Sequence, residues 1–146
     1  MISQARWHQW ETNSSSCHSI ILDEDISPES LTIPQKLHIE PGEFGWEDYC
    51  YDTPEGKASY IWTCLRYTND DAKTETLRKQ FLDSIRSFGI EIDLRESNDD
   101  NFWPEGYIDH GNEYLDEILY IVEDNDRLKK FLFHQNSYVH TDNDNY

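Results

Sequence analysis

The chain is 146 residues long and carries 30 Asp and Glu against 12 Lys and Arg, a formal net charge of −18. Its 5 Trp, 9 Tyr and 6 Phe separate it from disordered acidic chains, which are poor in aromatics, so the sequence predicts one folded acidic domain over 1–146. Such a charge disfavours direct contact with nucleic acid or anionic membranes and attracts basic proteins at salt-dependent rates.

The opening MISQARWHQWE lacks the basic and apolar regions of a secretory signal, and no apolar run nears the ~18 residues of a membrane span. Cys17, Cys50 and Cys64 are odd in number and form no CxxC pair. That argues against a disulfide framework or cysteine zinc site and for a reduced cytosol.

In chain order, RWHQWET (6–12) and SIIL (19–22) predict short strands, with a hydroxyl-rich turn between them. Residues 23–34 read as a loop around Pro28 and Pro34, and 37–40 as a strand stopped by Pro41-Gly42. Thr53 as N-cap with Pro54 behind it starts a helix to about Tyr67. Asp70 or Asp71 caps the next, with Leu77, Phe81, Ile85 and Phe88 on one face and Gly89 at its end. IEIDLR (90–95) alternates as a strand, 97–104 is an acidic loop, and 107–109 is a candidate strand. Asn112 is read as the cap of a third helix with Tyr114, Leu115, Ile118, Leu119 and Val122 inward. A fourth helix follows from Asp126 with Leu128, Phe131 and Leu132 inward, then a strand at 137–141 and a polar tail over 141–146. Strands and helices mix without βαβ alternation, so the predicted class is α+β: a small mixed or antiparallel sheet packed with about four helices.

Candidate chemistry centres on TNSSSCHSIIL (12–22). Asn13 and the serines can bond nearby backbone as Asx and Ser/Thr turns, the structural reading. Two functional readings stand beside it. Asn13, Ser14, Ser15, Ser16 and His18 could cradle an anion such as phosphate, or His18 could serve Ser16 as base, since alternate strand residues share a face. No GxSxG elbow or third triad member is identifiable, so no catalytic residue is assigned. The six histidines are scattered, and Asp142, Asn143 and Asp144 lack the Gly and Glu that complete a calcium loop; neither a metal nor a cofactor is expected.

The charge is uneven. Residues 91–126 hold thirteen carboxylates against one cation, Arg95, a net of −12 in 36 residues. Carboxylates three or four apart on a helix repel one another unless a partner neutralises them. Aromatics interleaved with them suit a protein interface, where anchors bind and the rim steers. The predicted partner surface is Asp99, Asp100, Trp103, Glu105, Asp109, Glu113, Tyr114, Asp116, Glu117, Glu123 and Asp124.

TNSSSCHSI, FGW (44–46), KASY (57–60), YIDH (107–110) and the closing NSY and TDNDN resemble segments of small uncharacterised bacteriophage proteins. That resemblance implies a phage origin and expression in the host bacterial cytoplasm, and no reaction. Together with the charge it leads to one expectation: an inhibitor of a host defence system, of the anti-CRISPR type. It would occupy a basic nucleic-acid-binding groove, such as that of a Cas effector, by DNA mimicry. Two alternatives remain, an immunity or antitoxin protein neutralising a basic toxin, and a small enzyme acting on a nucleotide or phosphate ester through NSSSCHS.

Overall fold

Ile20, Ile21 and Leu22 are buried in succession, the mark of a strand covered on both faces, and they sit in an interior strand. The computed structural model describes residues 7–10, 16–45, 48–100 and 102–143. Its main sheet has four strands, β1 (Trp7–Trp10), β2 (Ser16–Asp23), β5 (Tyr49–Tyr51) and β8 (Tyr138–Asn143). They run antiparallel in the order β1-β2-β8-β5, with Ile20 opposite Val139. Two parallel pairs stand apart from it: β3 (Lys36–Ile39) with β6 (Glu91–Leu94), and β4 (Glu43–Phe44) with β7 (Tyr107–Ile108).

Four α-helices complete an α+β fold: α1 (Pro54–Cys64), α2 (Asp71–Ser87), α3 (Leu115–Val122) and α4 (Asn125–Phe133). α1 begins as its sequence dictates, with Thr53 Oγ1 accepting from the Gly56 N–H at 3.1 Å. It buries Lys57, Ala58 and then Tyr60 through Cys64 almost all round, so it forms the central helix. α2 is capped by Asp70, which accepts from the N–H groups of Ala72 and Lys73, and buries only Phe81, Leu82 and Ile85. Gly89 ends it at φ +85°, a conformation that costs a side chain dearly. One buried cluster joins Ile20, Ile39, Ile61, Ile85, Ile118 and Phe131. Among the described residues no helix is long and apolar enough to cross a membrane.

Four local expectations are corrected. The first helix stops at Cys64 and tightens into a 3-10 turn over Leu65–Thr68. Asn112 caps nothing; it lies exposed in a 3-10 turn (Gly111–Glu113), and α3 starts from Tyr114, whose ring is buried in the core. The inward stripe of α3 runs Tyr114, Ile118, Ile121, with Leu115, Leu119 and Val122 only partly buried beside it. β8 continues to Asn143, into the segment read as tail, because its backbone pairs with β2 from Ser16 onward.

Candidate functional site

Two regions hold the residues that the sequence singles out. The first surrounds His18. Pairing of β4 with β7 sets Phe44 against Ile108, and the Asp109 N–H donates to the Phe44 carbonyl at 3.0 Å. Gly45 is thereby pressed between Asp109 and His18. A methyl group on Gly45 would lie 2.7 Å from His18 Nε2 and 2.8 Å from Asp109 Cβ, and its φ is +101°. Across the imidazole, Nδ1 is hydrogen bonded to the Tyr60 hydroxyl at 2.9 Å. The ring also stacks on Tyr114 at 4.4 Å and 5°. Gly45, Tyr60 and Asp109, scattered in the sequence, therefore meet at one histidine.

That histidine is 0 % exposed, and burial, helped by nearby His110 and His140, pulls its pKa down to about 4. A neutral, enclosed imidazole offers no charge to an anion in solvent, so His18 leaves the predicted anion cradle and joins the core. Ser16 opens β2 opposite Asn143, while Asn13, Ser14 and Ser15 lie outside the described residues.

Toward the far end of β2, at Asp23, lies a buried polar network with no signature in the sequence. Lys57 is fully buried on α1, and its ammonium donates to the carbonyls of Ser137 at 2.7 Å and His134 at 3.0 Å. The Asp23 N–H donates to Ser137 Oγ at 2.9 Å, and Asp23 Oδ2 pairs with His134 Nε2 at 3.2 Å. Burial lowers the Lys57 pKa to about 7. The network ties α1, β2 and the α4–β8 turn together. Nothing in the KASY spacing announces it, because the carbonyls come from residues some eighty positions away.

The second region is the loop between β6 and β7. Asn98 holds it from inside: its N–H donates to the Pro104 carbonyl at 2.7 Å and its amide to Glu40 Oε2 at 3.1 Å. The Trp103 N–H donates to Glu43 Oε1 at 3.0 Å, and Arg66 donates to the Gly106 carbonyl. On this fixed loop Phe102 is 83 % exposed and Trp103 39 %. Trp103 stacks on Tyr107 at 4.9 Å and 21°, with Phe102 edge-on against it at 5.2 Å. Asp99, Asp100 and Glu105 are exposed on the same loop, Asp100 with its carboxylate 3.6 Å from Arg95.

The predicted surface is thus divided. Asp99, Asp100, Trp103 and Glu105 come together on the loop, and Phe102, absent from that prediction, is its most exposed large apolar side chain. Glu113 and Asp116 are exposed at the start of α3, and Asp109 is half-buried. Glu117 is partly buried with Oε2 unpartnered, and burial raises its pKa. Glu123 and Asp124 are taken by Arg127, at 3.2 and 3.7 Å, and Asp124 also caps α4. Tyr114, at 1 % exposure, is a core residue and cannot anchor a partner. Compared with protein-family models, curated proteins and solved structures, the chain matches none.

Proposed function

We propose that the chain is a binding protein whose Phe102–Trp103 knob and carboxylate rim dock onto a basic surface that the partner otherwise uses to hold nucleic acid. One observation carries this reading: a large aromatic side chain, 83 % exposed, stands on a loop that internal hydrogen bonds already hold in place. A pre-ordered anchor loses little entropy on binding, and aromatic side chains are enriched among the residues that dominate interface energies. The surrounding acids, on a chain of net charge −18, favour a cationic partner and accelerate its approach. With the resemblance to phage proteins, the setting is the host bacterial cytoplasm and the role is inhibition of a defence complex, an anti-CRISPR-type activity.

The test is capture from a bacterial lysate at low and high salt, followed by a mobility-shift assay on the purified partner with and without its nucleic acid. The expected partner binds nucleic acid and loses it to this chain, with competition weakening as salt rises. Undiminished simultaneous binding refutes the mimic. A toxin covered at its catalytic cleft would instead establish an immunity protein.

A further inference from the structure

The parallel strands β3 and β6 carry a ladder of charges on their outer face, and the ladder ends at the loop bearing the knob. Leu37 and Ile39 are buried, so Lys36, His38 and Glu40 share the other side of their chain. Opposite them in register stand Glu91 and Asp93, with Arg95 beyond the end of β6. Each rung joins opposite charges. Lys36 Nζ lies 4.0 Å from Glu91 Oε2, His38 Nδ1 lies 3.0 Å from Asp93 Oδ2, and Arg95 Nη1 lies 3.6 Å from Glu40 Oε2. Only the middle rung depends on a group that gains and loses its charge near neutral pH.

His38 also reaches along the ladder. Its Nε2 lies 3.4 Å from Glu40 Oε1, so both ring nitrogens face carboxylate oxygens. A neutral imidazole has one N–H and one lone pair, so it can donate to one of these carboxylates and must set its lone pair against the other. Only the imidazolium satisfies both. Asp93 first, and then Glu40, accordingly hold the His38 pKa above its ordinary 6.5, against the opposing effect of burial. The other charged groups around the ring are Lys36 on β3, Glu91 and Arg95 on the β6 side, and Glu55 of α1, whose Oε2 accepts from the His38 backbone N–H at 2.9 Å.

The carboxylate that His38 holds is also an anchor of the loop. Glu40 Oε2 accepts from the Asn98 side-chain amide at 3.1 Å, and Arg95 extends the link to Asp100 Oδ2 at 3.6 Å. Asn98 in turn bonds the Pro104 carbonyl through its N–H and the Asp100 N–H through Oδ1. One side chain, Glu40, therefore stands between His38 and the segment that presents Phe102 and Trp103. We infer that His38 is a proton-controlled support of this loop: charged, it fixes Glu40 and through it Asn98; neutral, it lets Glu40 go on one side and loosens the loop. The support is complete below pH 6.5 and is lost as pH rises through the folded-state pKa of His38. The loosening is partial, because the Trp103 N–H keeps its bond to Glu43 and solvent screens a ring that is 37 % exposed. Weaker partner binding over the same pH window is a consequence that rests on the docking reading above; the control of the loop does not.

The experiment is a titration of the ¹⁵N- and ¹³C-labelled chain by magnetic resonance from about pH 5.5 to 9, the range in which histidines change charge. It follows the His38 ring beside the Asn98 side-chain amide, the Asp100 amide and the Trp103 indole. All four should share one midpoint, above 6.5. Asp93→Asn removes the larger support of the imidazolium and should lower the midpoint of ring and loop together. His38→Gln should leave the loop signals flat. Loop signals that stay flat while the native His38 titrates, that keep their midpoint in Asp93→Asn, or that still titrate in His38→Gln would overturn the inference. With the captured partner, the affinity of the native chain relative to His38→Gln should fall about two- to fivefold between about pH 6 and 8.5. The two readings fail separately. Loop signals that follow His38 while Phe102→Ser leaves the partner bound would uphold the support and refute the knob; flat loop signals with a partner released by Phe102→Ser would do the reverse.

Discussion

The surroundings of His18 and the loop carrying Phe102 use similar side chains to opposite ends. Around His18, aromatic and polar groups converge from four segments and are sealed from water: Nδ1 bonds the Tyr60 hydroxyl and the ring stacks on Tyr114, while Nε2 is buried without a hydrogen-bond partner. On the loop, the backbone is satisfied internally while the side chains are left outside. Polar groups taken out of water must find partners within the fold, so the first region governs stability. Side chains left exposed on an ordered loop have spent their ordering entropy without burying surface, so the second is suited to association. A dense motif marked the core, and a less conspicuous loop marked the surface.

The contrast breaks most directly at Tyr114. Tyr114→Ala removes the stacking partner of His18 from a buried site and should cost about 3–5 kcal/mol in urea denaturation. The affinity of the remaining folded molecules for a partner should not change; weaker binding per folded molecule would return Tyr114 to the interface.

Acid should attack the same region. His18 is held neutral in the fold, with a pKa of about 4 against an ordinary 6.5, so the unfolded chain binds the extra proton between those values. Stability from this group is complete above pH 6.5 and declines as pH falls toward 4, by up to about 3 kcal/mol. Denaturation midpoints across that window should slope more steeply for the native chain than for His18→Phe. Equal slopes would mean that the imidazole is solvated.

Gly45→Ala is the next smaller test. It sets a side chain in the left-handed region against His18 and Asp109, at a cost of about 1–3 kcal/mol in thermal unfolding. No loss would show that the β4–β7 pair does not press on the histidine.

Phe102→Ser should invert the pattern. Stability stays within about 0.5 kcal/mol, as expected for an exposed position, while affinity for the captured partner drops at least tenfold, about 1.4 kcal/mol. Calorimetry alongside binding measurements checks both halves, and a destabilised variant with intact affinity would reverse the assignment. The smallest effect belongs to Asp124→Ala, worth about 1 kcal/mol of stability through the lost α4 cap and nothing in association. If binding weakens as well, the acids near Arg127 are part of the interface after all.

Local sequence determined a good part of the fold. Thr53-Pro54, Asp70 and Gly89 set helix ends through hydrogen bonds and backbone angles that involve only near neighbours. Leu128, Phe131 and Leu132 declared the buried face of α4 by spacing alone. The concentration of charge in 91–126 was equally legible, because it needs only counting. What a side chain does there was decided by tertiary structure. Tyr114 and Trp103 both sit among acids in sequence, yet one is stacked in the core and the other stands on a rim. His18 looked like chemistry until Gly45, Tyr60 and Asp109 closed over it, and the burial of Lys57 follows from two distant carbonyls that accept its hydrogen bonds. Caps and periodicities are short-range and can be read along the chain. Burial and hydrogen-bond satisfaction depend on groups 42 to 114 residues away, which only the folded chain brings within 3 Å.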